Sequence, residues 1–409
     1  MENYDYGIIG GGPAGYTAGM LLANMGNSVV LFERDCLGGT CLNKGCIPTK
    51  SFLHSSQIYN NLLNSQDIGI NIKDFEFDFS KVVEKKNETV QKIRKSLELA
   101  VKNSGVKTVY SSACVKNKNT ISANGEDYNV QKIILATGSK PREIKGLEFD
   151  GEFILNSDDV LNLTKLPKTV LIVGSGAIGI EWARIFSNFG VEVSIVEMAE
   201  HLIPLADIEV SKRVERIFKQ KKIKFYLNDY IVRTENKTAF LNSGIEIKPD
   251  FILVAVGRTP ICPKCEGVDI LGDACGEIQL AHYAIHQAKN LALNIPFDKN
   301  LVPSVIYGEP EIAWVGLREQ DCDENCKKTM LLISALGKAW CDNATEGFIK
   351  IITKENKILG AHIVSQEASS LIHTVLVAIQ NNLTIDEMKK MCYAHPTYSE
   401  GLYDILFKI

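Results

Sequence analysis

The pattern of this 409-residue chain predicts an α/β fold in which one strand–turn–helix–strand unit occurs twice. Three observations carry that expectation. The chain is too long for one hydrophobic core and suits two or three domains. A glycine-rich turn, Gly10-Gly11-Gly12-Pro13-Ala14-Gly15, stands between a strand-like run, Tyr6 to Ile9, and a helical stretch to about Met25. The same order recurs at Gly174-Ser175-Gly176-Ala177-Ile178-Gly179, between an apolar run from Thr169 to Val173 and a helix through Phe189.

Each element has a physical reason. Gly10 makes the turn, Gly12 lets the backbone approach a pyrophosphate, Gly15 permits close helix–strand packing, and the helix N-terminus faces the anion. The strand from Ser28 to Phe32 then delivers Glu33, which can accept hydrogen bonds from an adenosine ribose. In the second unit the run Val191 to Val196 leads into Glu197. An acid there repels a 2′-phosphate and favours a free 2′-hydroxyl, so this site is expected to take NAD rather than NADP. Two such units imply two nucleotides, one an electron carrier held permanently and one a diffusible hydride carrier.

Between the first turn and the rest lies GGTCLNKGCIPTK, residues 38 to 50, with four residues between Cys41 and Cys46. A metal knuckle, a structural staple and a redox centre are the candidate readings. Zinc needs four ligands, and no His or Cys pair lies nearby in sequence to complete a set. The N-terminus MENYDYGIIGGG lacks the features of a signal peptide, and no apolar run is long enough to span a bilayer, so a cytoplasmic protein is expected. The eleven cysteines are an odd number at irregular spacing. In a reducing compartment a pair that still forms a disulfide is usually catalytic, which favours redox chemistry. Net charge is −4 with no basic stripe, so neither nucleic acid nor a membrane is an expected partner.

The chain resembles the flavin-dependent pyridine nucleotide–disulfide oxidoreductases, most closely the dihydrolipoamide dehydrogenases. Besides the two glycine turns and GGTCLNKGCIPTK, the matching stretches are Ile134 to Pro141, Val254 to Pro260, Ile270 to Asp273, Leu280 to His282, and Ala394 to Glu400. The resemblance implies an α/β chain with two Rossmann-like dinucleotide-binding domains (FAD and NAD) plus a C-terminal α+β dimerisation domain. The expected spans are 1–150 for the FAD domain with its redox disulfide and 151–260 for the NAD domain. Residues 261–298 are expected to return to the FAD domain, and 299–409 to form the interface domain.

The same resemblance implies the site. Cys41 and Cys46 alternate between disulfide and dithiol, Cys46 facing the flavin and Cys41 exchanging with substrate. A tight helix start at Gly45 and Pro48 favours a thiolate there. Lys50 comes near the flavin and pairs with Glu181. Tightly but non-covalently bound FAD is expected on Gly10, Gly12, Pro13, Ala14, Gly15, Glu33, Gly39, Thr40, Lys50, Thr137, Gly138 and Asp273, with Leu280, Ala281 and His282 opening a helix toward the flavin ring. NAD is expected on Gly174, Gly176, Ala177, Ile178, Gly179, Glu181, Glu197 and Gly257. His395 takes a proton from a dithiol, a general-base role to which the histidine side chain is suited, and Glu400 orients its ring. In the family that histidine reaches the other subunit's cysteines, so a homodimer is expected. The implied substrate is dihydrolipoamide on the lipoyl-carrying protein of a 2-oxo acid dehydrogenase or glycine cleavage complex. A reductase of glutathione or another small disulfide is the rival enzyme, and a catalytically degenerate subunit of a lipoyl complex the rival from another class.

Two features depart from the pattern. The segment between Arg258 and Asp273 is shorter than in the family, which leaves the edge of the FAD domain uncertain. Cys262-Pro-Lys-Cys265 is a CxxC, read as accidental rather than as half a zinc site with Cys275 or with Cys322 and Cys326. Ser80 to Lys102, with Val82, Val83, Val90, Ile93, Leu97 and Val101 at helical spacing, reads as a packed scaffold helix.

Overall fold

The computed structural model describes residues 3–263 and 265–409; Met1 and Glu2 of the N-terminal stretch and Lys264 of the CxxC lie outside them. Strand β1 (Asn3–Ile9) runs into helix α1 (Pro13–Asn24), which returns the chain to β2 (Val29–Glu33). Pro13 opens α1 because its missing N–H is not needed in a first turn. The redox stretch folds as two helices, α2 (Gly39–Lys44) and α3 (Cys46–Leu63), with Gly45 between them. A Cβ on Gly45 would lie 3.1 Å from Thr40 O, so glycine keeps the joint tight.

Helix α4 (Phe79–Asn103) is capped by Asp78, which accepts from Ser80 N at 2.9 Å, and packs along α3. Val82, Val83, Val90, Leu97 and Val101 of the apolar stripe meet core clusters or are buried; Ile93 departs from it at 41 % exposed. The chain continues through β3 (Lys107–Tyr110), β4 (Ala113–Asn117), β5 (Thr120–Ala123) and β6 (Glu126–Leu135). The first sheet has the order β3-β2-β1-β6-β5-β4, parallel from β3 to β6.

A second parallel sheet is ordered Lys224–Tyr226, Glu192–Val196, Thr169–Val173, Phe251–Val254 and Ile154–Leu155. Its first crossover is α5 (Ala177–Asn188), and α6 (Ile208–Gln220) follows. These buried strands read as continuous Val/Ile/Leu runs because helices and a three-stranded meander cover their faces.

The shortened return proves sufficient. Arg258–Pro260 pairs antiparallel with Ser139–Pro141, and the two-residue strand Asp269–Ile270 then adds parallel to β6. Helix α7 (Ala281–Leu293) lies back on α1 through Ala284, Ala288 and Ala292 against Ala14, Ala18 and Leu22. The chain finishes in a five-stranded antiparallel sheet, ordered Ser304–Ile306, Glu311–Gly316, Lys357–Ser365, Phe348–Lys354 and Lys327–Leu332, backed by the helix Ala368–Gln380. That last unit is joined to the second one by a buried cation, Lys350, whose Nζ is 2.7 Å from Asp207 Oδ1 and also bonds Glu319. No described helix is long and apolar enough to cross a membrane.

Candidate functional site

A cleft of about 540 Å³ runs between the first sheet's C-terminal edge and the second unit. Gly10, Gly12, Pro13, Ala14, Glu33, Gly39 and Thr40 line it, as do Thr137, Gly138, Asp273, Leu280 and Ala281, and Cys41, Cys46 and Lys50 stand in it. From the second unit come Ala177, Ile178 and Glu181. Gly15 lies beneath the turn instead, where a Cβ would sit 1.8 Å from Gly10 O; Gly179 repeats the constraint, 2.1 Å from Gly174 O. At Gly12, by contrast, a Cβ would meet only Gly39 Cα, at 3.8 Å, so its cleft side is clear for a phosphate.

The two acids at the strand ends do more than sequence reasoning assigned them. Glu33 Oε2 accepts from Gly11 N at 2.7 Å and its Oε1 from Asp35 N at 2.8 Å. Glu197 repeats this, accepting from Ser175 N at 2.8 Å and from Ala199 N at 2.9 Å. Each carboxylate therefore braces its own glycine turn while keeping lone pairs free for a ribose hydroxyl. Glu197, Gly174 and Gly176 belong to the second turn and do not line the cleft; Gly257 lies apart too, its carbonyl accepting from Arg142 N at 3.1 Å.

Cys46 opens α3, with Pro48 in the first turn, where its missing N–H costs nothing. Cys41 and Cys46 are both free thiols that line the cleft. The hydrogen bond from Cys41 lowers the Cys46 pKa to about 7 against opposing burial, and the Lys50 ammonium lowers it further. The same contact, together with burial, pushes the Cys41 thiol upward, so Cys41 keeps the shared proton. Lys50, one helical turn beyond Cys46, places Nζ 2.9 Å from both Glu181 oxygens. Burial alone would lower the Lys50 pKa, but the charge and hydrogen bonds of Glu181 outweigh it and the net shift is upward.

Sequence reasoning missed four residues here. The Tyr307 ring lies 4.6 Å from Lys50 Nζ, and Tyr307 N donates to Glu181 Oε1 at 3.1 Å. Ser139 Oγ donates to Asp273 Oδ2 at 2.5 Å and receives Arg258 Nε at 2.8 Å, so the Asp273 carboxylate is held in place through the paired strands. Tyr16, whose pKa burial and the two cysteines raise, stands near the thiols. Ser139 and Arg258 stood inside matched stretches, whereas Tyr307 carried no local signal.

His282 needs a correction. Its ring does not line the cleft: Nε2 is 2.8 Å from Pro303 O, tying α7 to the entry of the C-terminal unit. The helix start still faces the cleft through Leu280 and Ala281. His395 and Glu400 form a dyad, Nδ1 to Oε1 at 2.7 Å, with Thr397 N donating to Glu400 Oε2 at 2.8 Å. Those two hydrogen bonds hold the Glu400 carboxyl below its usual range. The His395 side chain is 76 % exposed and the dyad does not line its own chain's cleft. Of the CxxC cysteines, Cys262 is exposed and Cys265 packs with Val268 and Ile270 under the first sheet.

Two nucleotide turns around a thiol pair define a two-nucleotide oxidoreductase. Residues 4–284 match the model of the pyridine nucleotide-disulphide oxidoreductases and 302–404 that of their dimerisation domain. The chain belongs to this family, as a class I flavoprotein enzyme using FAD and NAD. It is 32 % identical to a dihydrolipoyl dehydrogenase of Chlamydia pneumoniae over 98 % of this chain and 95 % of that protein. It is 31 % identical to one of Bacillus subtilis, over 98 % and 97 %. Among solved structures it is similar in fold to LpdA of Mycobacterium tuberculosis, with TM-score 0.91, 21 % identity and coverage of 100 % and 99 %. It is likewise similar in fold to the HOCl-induced flavoprotein disulfide reductase RclA of Escherichia coli, with TM-score 0.88, 24 % identity and full coverage of both chains.

Proposed function

We propose that this protein oxidises dihydrolipoamide, carried on a lipoyl-bearing protein of a 2-oxo acid dehydrogenase or glycine cleavage complex, and delivers the electrons to NAD. The observation that carries this reading is the asymmetric thiol pair: Cys46 is poised as a thiolate beside Lys50, while Cys41 keeps its proton. It is supported by relatives named dihydrolipoyl dehydrogenase at 31 to 33 % identity over nearly the whole chain. Glu197, an acid at the second strand end, favours a nucleotide without a 2′-phosphate. Bound FAD supplies a two-electron relay between the thiol pair and NAD.

This chain's residues supply the rest. A dihydrolipoyl thiolate attacks Cys41 of the disulfide, releasing Cys46 as a thiolate that the Lys50 charge stabilises. Its second thiol then displaces Cys41, closing the lipoyl disulfide and leaving Cys41 reduced. Because the dyad does not reach its own cleft, His395 of the partner subunit accepts the substrate proton, and Glu400 stabilises the charged ring. Steady-state assays with dihydrolipoamide and NAD, set against oxidised glutathione with NADPH, test the reading. NADH formation with the first pair is expected; faster turnover of glutathione, or no flavin-linked turnover, would replace it.

A further inference from the structure

One helical turn beyond Glu181 on α5 stands Arg184, which is 2 % exposed and among the largest buried side chains of the protein. Its Nη1 donates to Tyr307 O at 3.1 Å, while Nε and Nη2 are buried without a hydrogen-bond partner among the described residues. Burial lowers the Arg184 pKa to about 10, so the group is still charged at neutral pH. The charges that face it are Glu181 on its own helix, Glu309 and Glu311 beyond Tyr307, and Lys221 at the end of α6. Replacing such a buried ion by an apolar side chain of similar volume is often neutral or stabilising, so packing alone does not account for a guanidinium here. The chain also makes room for it: a Cβ on Gly308, whose φ is +140°, would lie 2.4 Å from Nη1.

What this guanidinium reaches is the frame of the redox centre. Tyr307 N donates to Glu181 Oε1 at 3.1 Å and Tyr307 O accepts from Arg184, so both backbone polar atoms of one residue are tied to α5, a single turn apart. The ring of the same residue lies 4.6 Å from Lys50 Nζ, and Lys50 is itself 2.9 Å from both Glu181 oxygens. We propose that Arg184 is a positioning residue of the redox centre: by clamping Tyr307 to α5 it fixes the Glu181 carboxylate and, through it, the Lys50 ammonium beside Cys46. The inference deepens the reading above but rests only on its thiol pair and flavin, not on the choice of substrate. Two effects of the clamp act in one direction. Glu181 opposes ionisation of Cys46, and the Arg184 charge offsets part of that carboxylate; Lys50 favours ionisation, and the clamp keeps its partner in place.

The test is a pH titration of the thiolate-to-flavin absorbance in Cys41→Ser holoprotein, which needs neither a lipoyl nor a glutathione substrate. Adding Arg184→Met is expected to raise the midpoint by about half a unit or more. Arg184→Lys, which keeps the charge and an N–H donor, is expected to return it at least halfway to the parent value. Gly308→Ala perturbs the clamp from the other side, because its methyl displaces Nη1 from Tyr307 O, and is expected to move the midpoint the same way. A guanidinium that only filled space would alter urea unfolding and leave the titration unmoved. An unchanged midpoint in the Met variant, or in Gly308→Ala if the Met variant does not retain flavin, would overturn the proposal, as would a Lys variant shifted as far as Met.

Discussion

The Cys46 thiolate can be tested by removing the proton donor that creates it. With its pKa lowered from 9.0 to about 7, about half of Cys46 is ionised at pH 7, against about 1 % of an unshifted thiol. The largest cause is the hydrogen bond from Cys41. Cys41→Ser keeps a hydroxyl donor at that place, whereas Cys41→Ala removes it. A hydrogen bond to a charged group is worth about 1.5–3 kcal/mol, which at about 1.4 kcal/mol per pKa unit corresponds to about one to two units. The assay is a pH titration of the long-wavelength thiolate-to-flavin absorbance, which both variants show without reduction because Cys46 is their only sulfur in the pair. The Ser variant is expected to titrate near neutrality and the Ala variant about one to two units higher. Coincident midpoints would refute the hydrogen-bond account and leave Lys50 as the source of the shift. A band lost in Cys41→Ser but kept in Cys46→Ser would reverse the two sulfurs' roles.

Four further outcomes are expected. His395→Gln should cut lipoamide turnover by about a hundred- to ten-thousandfold while leaving flavin reduction by NADH nearly intact. Mixing its homodimer with that of Cys41→Ser should restore activity by subunit exchange, and no recovery despite verified exchange would confine the histidine to its own chain. Glu197→Ala should reduce the preference for NAD over NADP by tenfold or more, a loss of about 1.4 kcal/mol of discrimination, read from the ratio of kcat/KM values. Lys350→Met strands Asp207, which is 0 % exposed, and should cost about 3–5 kcal/mol in urea unfolding; an unchanged midpoint would show that the buried cation contributes nothing.

What the sequence made legible was the backbone-determined part. Both glycine turns with their strands and helices follow from local steric demands, and the structure places them within a residue or two of the boundaries expected, except that the first strand begins three residues earlier, at Asn3. Long-range polar contacts were not legible. Tyr307 against Lys50, and Arg258 through Ser139 to Asp273, depend on which strands meet in space. His282 was misassigned for a related reason: position at a helix start says nothing about ring direction, and Pro303 O captures the imidazole. The short return was legible as a departure, but only strand pairing shows that two residues, Asp269 and Ile270, suffice to re-enter the first sheet.

That late re-entry has a consequence for how the chain is made. The second parallel sheet, Ile154 through Phe251–Val254, is drawn from one continuous stretch and can assemble as soon as that stretch is synthesised. The first unit cannot. Until α7 emerges, Ala14, Ala18 and Leu22 of α1 lack the alanines of α7 that share their cluster, and residues 25–280 separate the two helices. The first nucleotide unit therefore waits, with part of an apolar face uncovered, while residues 25–280 are produced. Its completion is the event that joins the two ends of the nucleotide region.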